Sequence, residues 1–191
     1  RRQRQMCIRD SFTMKQETKC LHSGYVPKNG EPRQMPIYQS TTFKYDSSDA
    51  MGRLFDLEDS GYFYTRLQNP SNDMTAAKIA DLEGGVAAML TSSGQAANFF
   101  ALFNICETGS HIVASSAIYG GTYNLLGVTM KKMGIDVTFV DQNLPEEELA
   151  KAFRPNTRAM FGETITNPTV SVLDIEKFAS CLLYTSPSPR D

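Results

Sequence analysis

From residue 86 onward, apolar runs of strand length alternate with segments of helical spacing, and this alternation constrains the fold of the chain more than any other feature. Residues 86–90, 111–114, 137–141 and 157–163 read as strands, and residues 98–106, 123–133 and the acidic-headed 145–153 read as helices between them. Consecutive strands separated by a helix cannot close as tight hairpins, so they pair in parallel. The pattern therefore predicts an α/β domain with a mainly parallel sheet and a ligand at the carboxyl ends of its strands. Ahead of it, Ala76, Ala77, Ile79, Ala80 and Leu82 fall near helical spacing from Thr75, and Gly84-Gly85 stops that helix. Residues 12–60 differ in texture. With Pro27, Pro32 and Pro36 and little periodicity, they read as an extended arm that must pack on something else.

Three loops follow strands in this reading. The first, Ser92-Ser93-Gly94-Gln95-Ala96-Ala97, hands a strand to a helix through small residues. The unpaired N–H groups of the first helical turn, together with the positive end of the helix dipole, suit a phosphate there, although plain helix capping produces the same residues. The second, Tyr119-Gly120-Gly121-Thr122, sets an aromatic face beside glycines that let backbone approach a flat heterocycle. The third, Glu163-Thr164-Ile165-Thr166-Asn167-Pro168, holds Asn167 extended before proline, with its amide free to meet a ring substituent. Glu163 reads either as an orienting carboxylate or as a solvated one.

The two termini read as having a different origin from the rest. Met6-Cys7-Ile8-Arg9-Asp10-Ser11 can be encoded by ATG TGT ATA AGA GAC AG, whose reverse complement, read in another frame, encodes Cys181-Leu182-Leu183-Tyr184-Thr185. One inverted repeat resembling a transposon end used in library preparation accounts for both, so residues 1–11 and 181–191 are expected to be non-native. Between them the charge falls from the whole chain's −2 to −5, which gives no reason to expect nucleic acid or an anionic membrane as partner. Of the 4 cysteines, Cys20 and Cys106 lie inside these limits, and Cys106, amid Phe103 and Ile105, reads as a packed core thiol. Without a signal peptide or an apolar run near the ~20 residues of a membrane span, the reading is a cytoplasmic protein with reduced thiols.

Tyr64-Thr65-Arg66 with Asn69-Pro70, then Leu82-Glu83-Gly84-Gly85, and after these the three loops above in the same order, resemble the pyridoxal-phosphate-dependent enzymes of cysteine and methionine metabolism. The resemblance covers residues 12–180. It implies an aspartate aminotransferase-like, fold type I large domain, partial here over residues 61–180, with 12–60 as an arm contacting a partner subunit. It also implies pyridoxal 5′-phosphate as cofactor, its phosphate cradled by Ser93, Gly94 and Gln95, its ring stacked on Tyr119 and its ring hydroxyl met by Asn167. Tyr119 would offer a hydroxyl for proton transfer. Tyr64 and Arg66 would grip the phosphate of the neighbouring subunit of a homodimer or homotetramer; read from the residues alone, they are a cation–π pair on a surface hairpin. Arg53-Leu54-Phe55 and Ile118 to Leu125 are most similar to the O-acetylhomoserine sulfhydrylase branch, which implies a transferase that makes homocysteine from O-acetylhomoserine and sulfide in methionine biosynthesis. Cystathionine γ-synthase, cystathionine γ-lyase and methionine γ-lyase share the motifs, and a non-catalytic assembly module is the alternative of another class. Ser71 stands where the family usually has Thr. The family's cofactor-bearing lysine, its pyridinium-pairing Asp and its carboxylate-binding Arg fall beyond residue 180, so the chain alone is expected to be inactive. Lys131, Lys132, Lys151 and Lys177 lie in amphipathic helical settings and do not replace that lysine.

Overall fold

A computed structural model describes residues 14–185, with side chains to Cys181; residues 1–13 and 186–191, which hold most of the two expected non-native ends, lie outside the described residues. The chain divides into two compact units after Leu90.

The first unit contains α1 (Gln16–His22), α2 (Ser48–Phe55) and α3 (Pro70–Glu83). The third helix starts five residues before the Thr75 expected from periodicity. Asn69 caps it, its side chain accepting the Ser71 N–H at 2.8 Å, and Pro70 occupies the first helical position, where its missing N–H costs nothing. Gly84 ends it at φ +66°, and the Gly85 N–H reaches the Ala80 carbonyl at 2.8 Å. Ala76 and Ala80 are buried on α3, and the arm's first helix lies against it. Asp81 is the anchor: Lys19 Nζ meets its carboxylate at 2.8 Å, the Ser23 hydroxyl donates to the other oxygen, and these bonds hold the Asp81 carboxyl below its usual range. At Gly24 (φ +82°) a Cβ would press on the Met74 carbonyl and lie 2.8 Å from the Lys78 nitrogen, so glycine is required there twice over, by conformation and by space.

Residues 86–90, expected as a buried strand, form none. They belong to no ladder, Val86 lies in a bend, and Val86, Met89 and Leu90 are exposed. Apolar composition supplies the propensity for a strand, but a strand exists only when a neighbour takes its hydrogen bonds.

The second unit is a parallel three-stranded sheet in the order β2–β1–β3, from β1 (His111–Ser115), β2 (Asp136–Val140) and β3 (Thr157–Phe161). This bears out the α/β reading. The central strand is buried throughout and alternates between two cores. Ile112 and Ala114 face a cluster with Leu102, Leu126, Met130 and Ile135. Val113 faces Val140, Leu149, Phe178 and Cys181 on the other side. The first layer is built by α4 (Gly94–Ile105) and by α5 (Gly120–Asn124), which runs on into a π-helical turn at Leu125–Met130; the second by α6 (Glu146–Ala150) and α7 (Ile175–Thr185). Cys106 is buried as expected, and burial raises its thiol pKa. His111 sits at the amino end of β1 with its ring enclosed. Its Nδ1 lies 2.7 Å from the Thr157 hydroxyl on β3 and its Nε2 lies 2.9 Å from the Thr138 hydroxyl on β2, so one side chain ties all three strands.

Candidate functional site

The site grows from the carboxyl ends of β1 and β3 and from the start of α4. Ser93 is the N-cap of α4, its hydroxyl oxygen accepting the Ala96 N–H at 3.1 Å. Capping and anion binding, the two readings of this turn, are compatible. The cap takes up one N–H, while those of Gly94 and Gln95 have no acceptor among the described residues. A Cβ built on Gly94 would meet nothing within 4 Å, so the turn is open on its outer side. The Gln95 side chain turns the other way, donating at 2.8 Å to the hydroxyl of Thr122, a buried residue of α5. Thus Gln95 can serve a ligand through its backbone while its amide locks α4 to α5.

Tyr119 immediately precedes α5, and its ring is half exposed. Gly121 makes room for it, because a Cβ there would lie 2.5 Å from the ring. The Tyr119 N–H donates to Glu163 Oε1 at 3.0 Å, and the Asn167 N–H donates to Oε2 of the same carboxylate at 3.2 Å. Of the two readings of Glu163, the structure supports the orienting one. The loop carrying Asn167, whose bond to Pro168 is cis, is braced from beneath by the buried Thr166, which lies 2.6 Å from the Thr169 hydroxyl and 2.9 Å from that of Ser171. Gln142, buried just past β2, accepts from Ser115 at 2.8 Å and donates to Ser171 at 3.2 Å, fastening the loop to the end of β1. Nothing in the sequence pattern marked Gln142, because a lone glutamine after a strand reads as a surface residue. Lys177, one of the lysines in amphipathic helical settings, donates to the Gln142 carbonyl at 2.8 Å and the Leu144 carbonyl at 3.1 Å.

In the first unit, Arg66 lies over the Tyr64 ring, 4.6 Å from its centroid, as the surface-pair reading expects. Their strip is pinned on both sides of Tyr64: the Thr65 N–H donates to the Thr41 carbonyl at 2.9 Å and Phe43 donates to Phe63 at 3.3 Å. Ser71 uses its hydroxyl fully, donating to the Pro36 carbonyl at 3.0 Å and accepting the Tyr38 N–H at 2.8 Å. A serine therefore does what that position asks of a hydroxyl.

The second unit thus brings Ser93, Gly94, Gln95, Tyr119 and Asn167 into one hydrogen-bonded assembly, linked through Thr122 and Glu163. Its donor set fits a phosphorylated heteroaromatic cofactor: exposed N–H groups at a helix start for the anion, an aromatic face, and a side-chain amide. A cavity of about 490 Å³ lies beside the π-helical turn, lined by Tyr123, Lys131, Asp136 and Phe139, and reaches the Tyr119 loop only at Gly120. Among the described residues no group of His, Cys, Asp and Glu could hold a metal ion, and no helix is long and apolar enough to cross a membrane.

The model of the family described as Cys/Met metabolism PLP-dependent enzyme matches residues 17–183. The chain belongs to that family. It is 49% identical over 162 residues to O-acetyl-L-homoserine sulfhydrylase of Leptospira meyeri, covering 84% of this chain and 36% of that protein. It is 40% identical over 172 residues to L-methionine gamma-lyase of Fusobacterium nucleatum subsp. polymorphum, covering 90% of this chain and 43% of that one. In structure it is similar to a protein of Campylobacter jejuni described as an O-acetylhomoserine (thiol)-lyase, which holds N′-pyridoxyl-lysine-5′-monophosphate, with TM-score 0.80, 33% identity, and 91% of this chain against 43% of that one covered. The chain therefore spans less than half the length of these relatives, and its parallel sheet is a partial fold type I large domain.

Proposed function

We propose that the protein to which this chain belongs binds pyridoxal 5′-phosphate and catalyses γ-replacement, converting O-acetylhomoserine and sulfide to homocysteine and acetate. The observation that carries the cofactor half of the reading is the joining of the α4 start, Tyr119 and Asn167 into one assembly at the carboxyl ends of the strands. The substrate half is supported by the closer identity to a sulfhydrylase than to a γ-lyase, 49% against 40%.

When bound, the cofactor supplies the electron sink for charge that develops on the substrate's carbon atoms. The chain's own residues bind and orient. Backbone N–H groups of Gly94 and Gln95, with the Ser93 hydroxyl, hold the phosphate, where the α4 dipole favours a dianion. The Tyr119 ring covers one face of the pyridine and its hydroxyl stands ready to accept or give a proton, while the Asn167 amide bonds the ring hydroxyl. Tyr64 and Arg66 serve the phosphate of a neighbouring subunit in a homodimer or homotetramer, for which the planar, permanently charged guanidinium is suited. Methionine γ-lyase is the second reading, because that enzyme also stands among the relatives.

The test is an assay of the full-length protein with O-acetylhomoserine plus sulfide and, separately, with methionine. Homocysteine formation with little release of methanethiol supports the replacement reading. Rapid methanethiol release from methionine replaces it with the lyase, and the absence of both activities in cofactor-loaded protein favours an assembly module.

A further inference from the structure

The Glu163 carboxylate lies just past the end of β3, outside both hydrophobic clusters, and is half-buried. It spends its two oxygens on two backbone N–H groups, Tyr119 on one side at 3.0 Å and Asn167 on the other at 3.2 Å, and neither N–H has another acceptor among the described residues. The two residues it joins are the one that presents an aromatic face and the one that presents an amide. Both loops are otherwise held from below: the Asn167 loop by Thr166, Ser171 and Gln142, and α5 by Thr122. A carboxylate suits this position because it is acceptor-only, and each bond it receives is charge-assisted. Glutamine has nearly the same shape but offers one acceptor and one NH2 group, so one of the two N–H groups would face another donor.

We infer that Glu163 is a positioning residue: by clamping the main chains of Tyr119 and Asn167 to one carboxylate, it sets their spacing and thereby the ability of the site to accept a planar heteroaromatic ring. The inference rests on the cofactor reading above and goes beyond it by assigning Glu163 to the ring half of the site and not to the phosphate half, although Gln95 and Thr122 join the two. The phosphate half, at the start of α4, has no contact with Glu163. The ring half depends on it.

The experiment compares two probes on apoprotein of the full-length protein: pyridoxine 5′-phosphate, which has the ring and phosphate but no aldehyde, and inorganic phosphate alone. Glu163→Gln should weaken pyridoxine 5′-phosphate by about tenfold, the cost of one lost charge-assisted bond, and reduce the induced circular dichroism of the bound ring. Affinity for inorganic phosphate, followed by phosphorus NMR, should stay within about twofold. Glu163→Asp, which keeps two acceptors one methylene back, should recover part of the ring affinity, and it carries the test if the glutamine variant does not fold. Equal loss for both probes would mean general damage and overturn the inference, as would unchanged ring affinity in both variants. Failure of the unaltered apoprotein to bind pyridoxine 5′-phosphate would instead overturn the cofactor reading itself, and the clamp with it.

Discussion

His111 gives the pH dependence of stability a sign and an upper bound. Its ring is fully enclosed, and burial first, then the nearby Arg154 charge, lowers its pKa, with Asp136 opposing. The neighbourhood suits the neutral ring. Thr157 already accepts the Arg154 N–H at 2.8 Å and can donate to Nδ1, while Nε2–H can donate to Thr138, which lies 3.3 Å from the Arg154 guanidinium. Because the folded pKa lies below the unfolded value of about 6.5, the unfolded chain binds the proton first as pH falls, and stability is lost. The contribution is whole above about pH 6.5 and declines as pH drops through the folded pKa; while the folded ring stays neutral the slope approaches about 1.4 kcal/mol per pH unit. At about pH 5.5 the loss is therefore up to about 1.4 kcal/mol relative to about pH 7.5. Glutamine at this position cannot titrate and spans the strands less well, costing about 1 kcal/mol at neutral pH for one lost bond. Urea denaturation of the 191-residue chain, followed by far-UV circular dichroism at several pH values, reads both effects. The chain's other histidine, His22, is exposed on α1, so the difference in slope belongs to His111. If His111→Gln kept the full slope between about pH 7.5 and 5.5, or if stability rose on acidification, the reasoning would be refuted.

Other expectations follow from the packing. Gly121→Ala forces only the half-exposed Tyr119 ring to move and adds a better helix former, so urea stability should hold or rise by up to about 1 kcal/mol while affinity of the full-length apoprotein for pyridoxine 5′-phosphate falls; a fall in both would contradict the geometry. Leu149→Ala removes a fully enclosed side chain from the Val113 and Phe178 cluster and should cost about 2–5 kcal/mol in a urea titration, with a loss under about 1 kcal/mol counting against that core. Among the described cysteines, mass spectrometry after brief thiol labelling should find Cys20 modified first. Cys106 and Cys181, buried and with their thiol pKa values raised, should react only on unfolding.

The layered fold was legible because its signals are local. Periodicity located the three strands of the sheet, since a strand's period and a helix's are written in consecutive residues, and the Ser93 cap and the glycines beside Tyr119 announced turns that only such residues make. Boundaries set by capping rather than by apolar spacing were harder to see, which is why α3 begins at Pro70 and α4 at Gly94. Tertiary structure alone decided three further matters. Residues 86–90 carry a strand's composition but lack a ladder, because pairing is a property of a neighbour. Gln142 is buried because Ser115 and Ser171, distant in sequence, converge on it. Glu163 could have been solvated, and became a clamp only when Tyr119, 44 residues away along the chain, arrived within reach of its carboxylate. Residue type and spacing thus determined which chemistry each loop could offer, whereas the partner of each long-range hydrogen bond was chosen by the path of the chain in space.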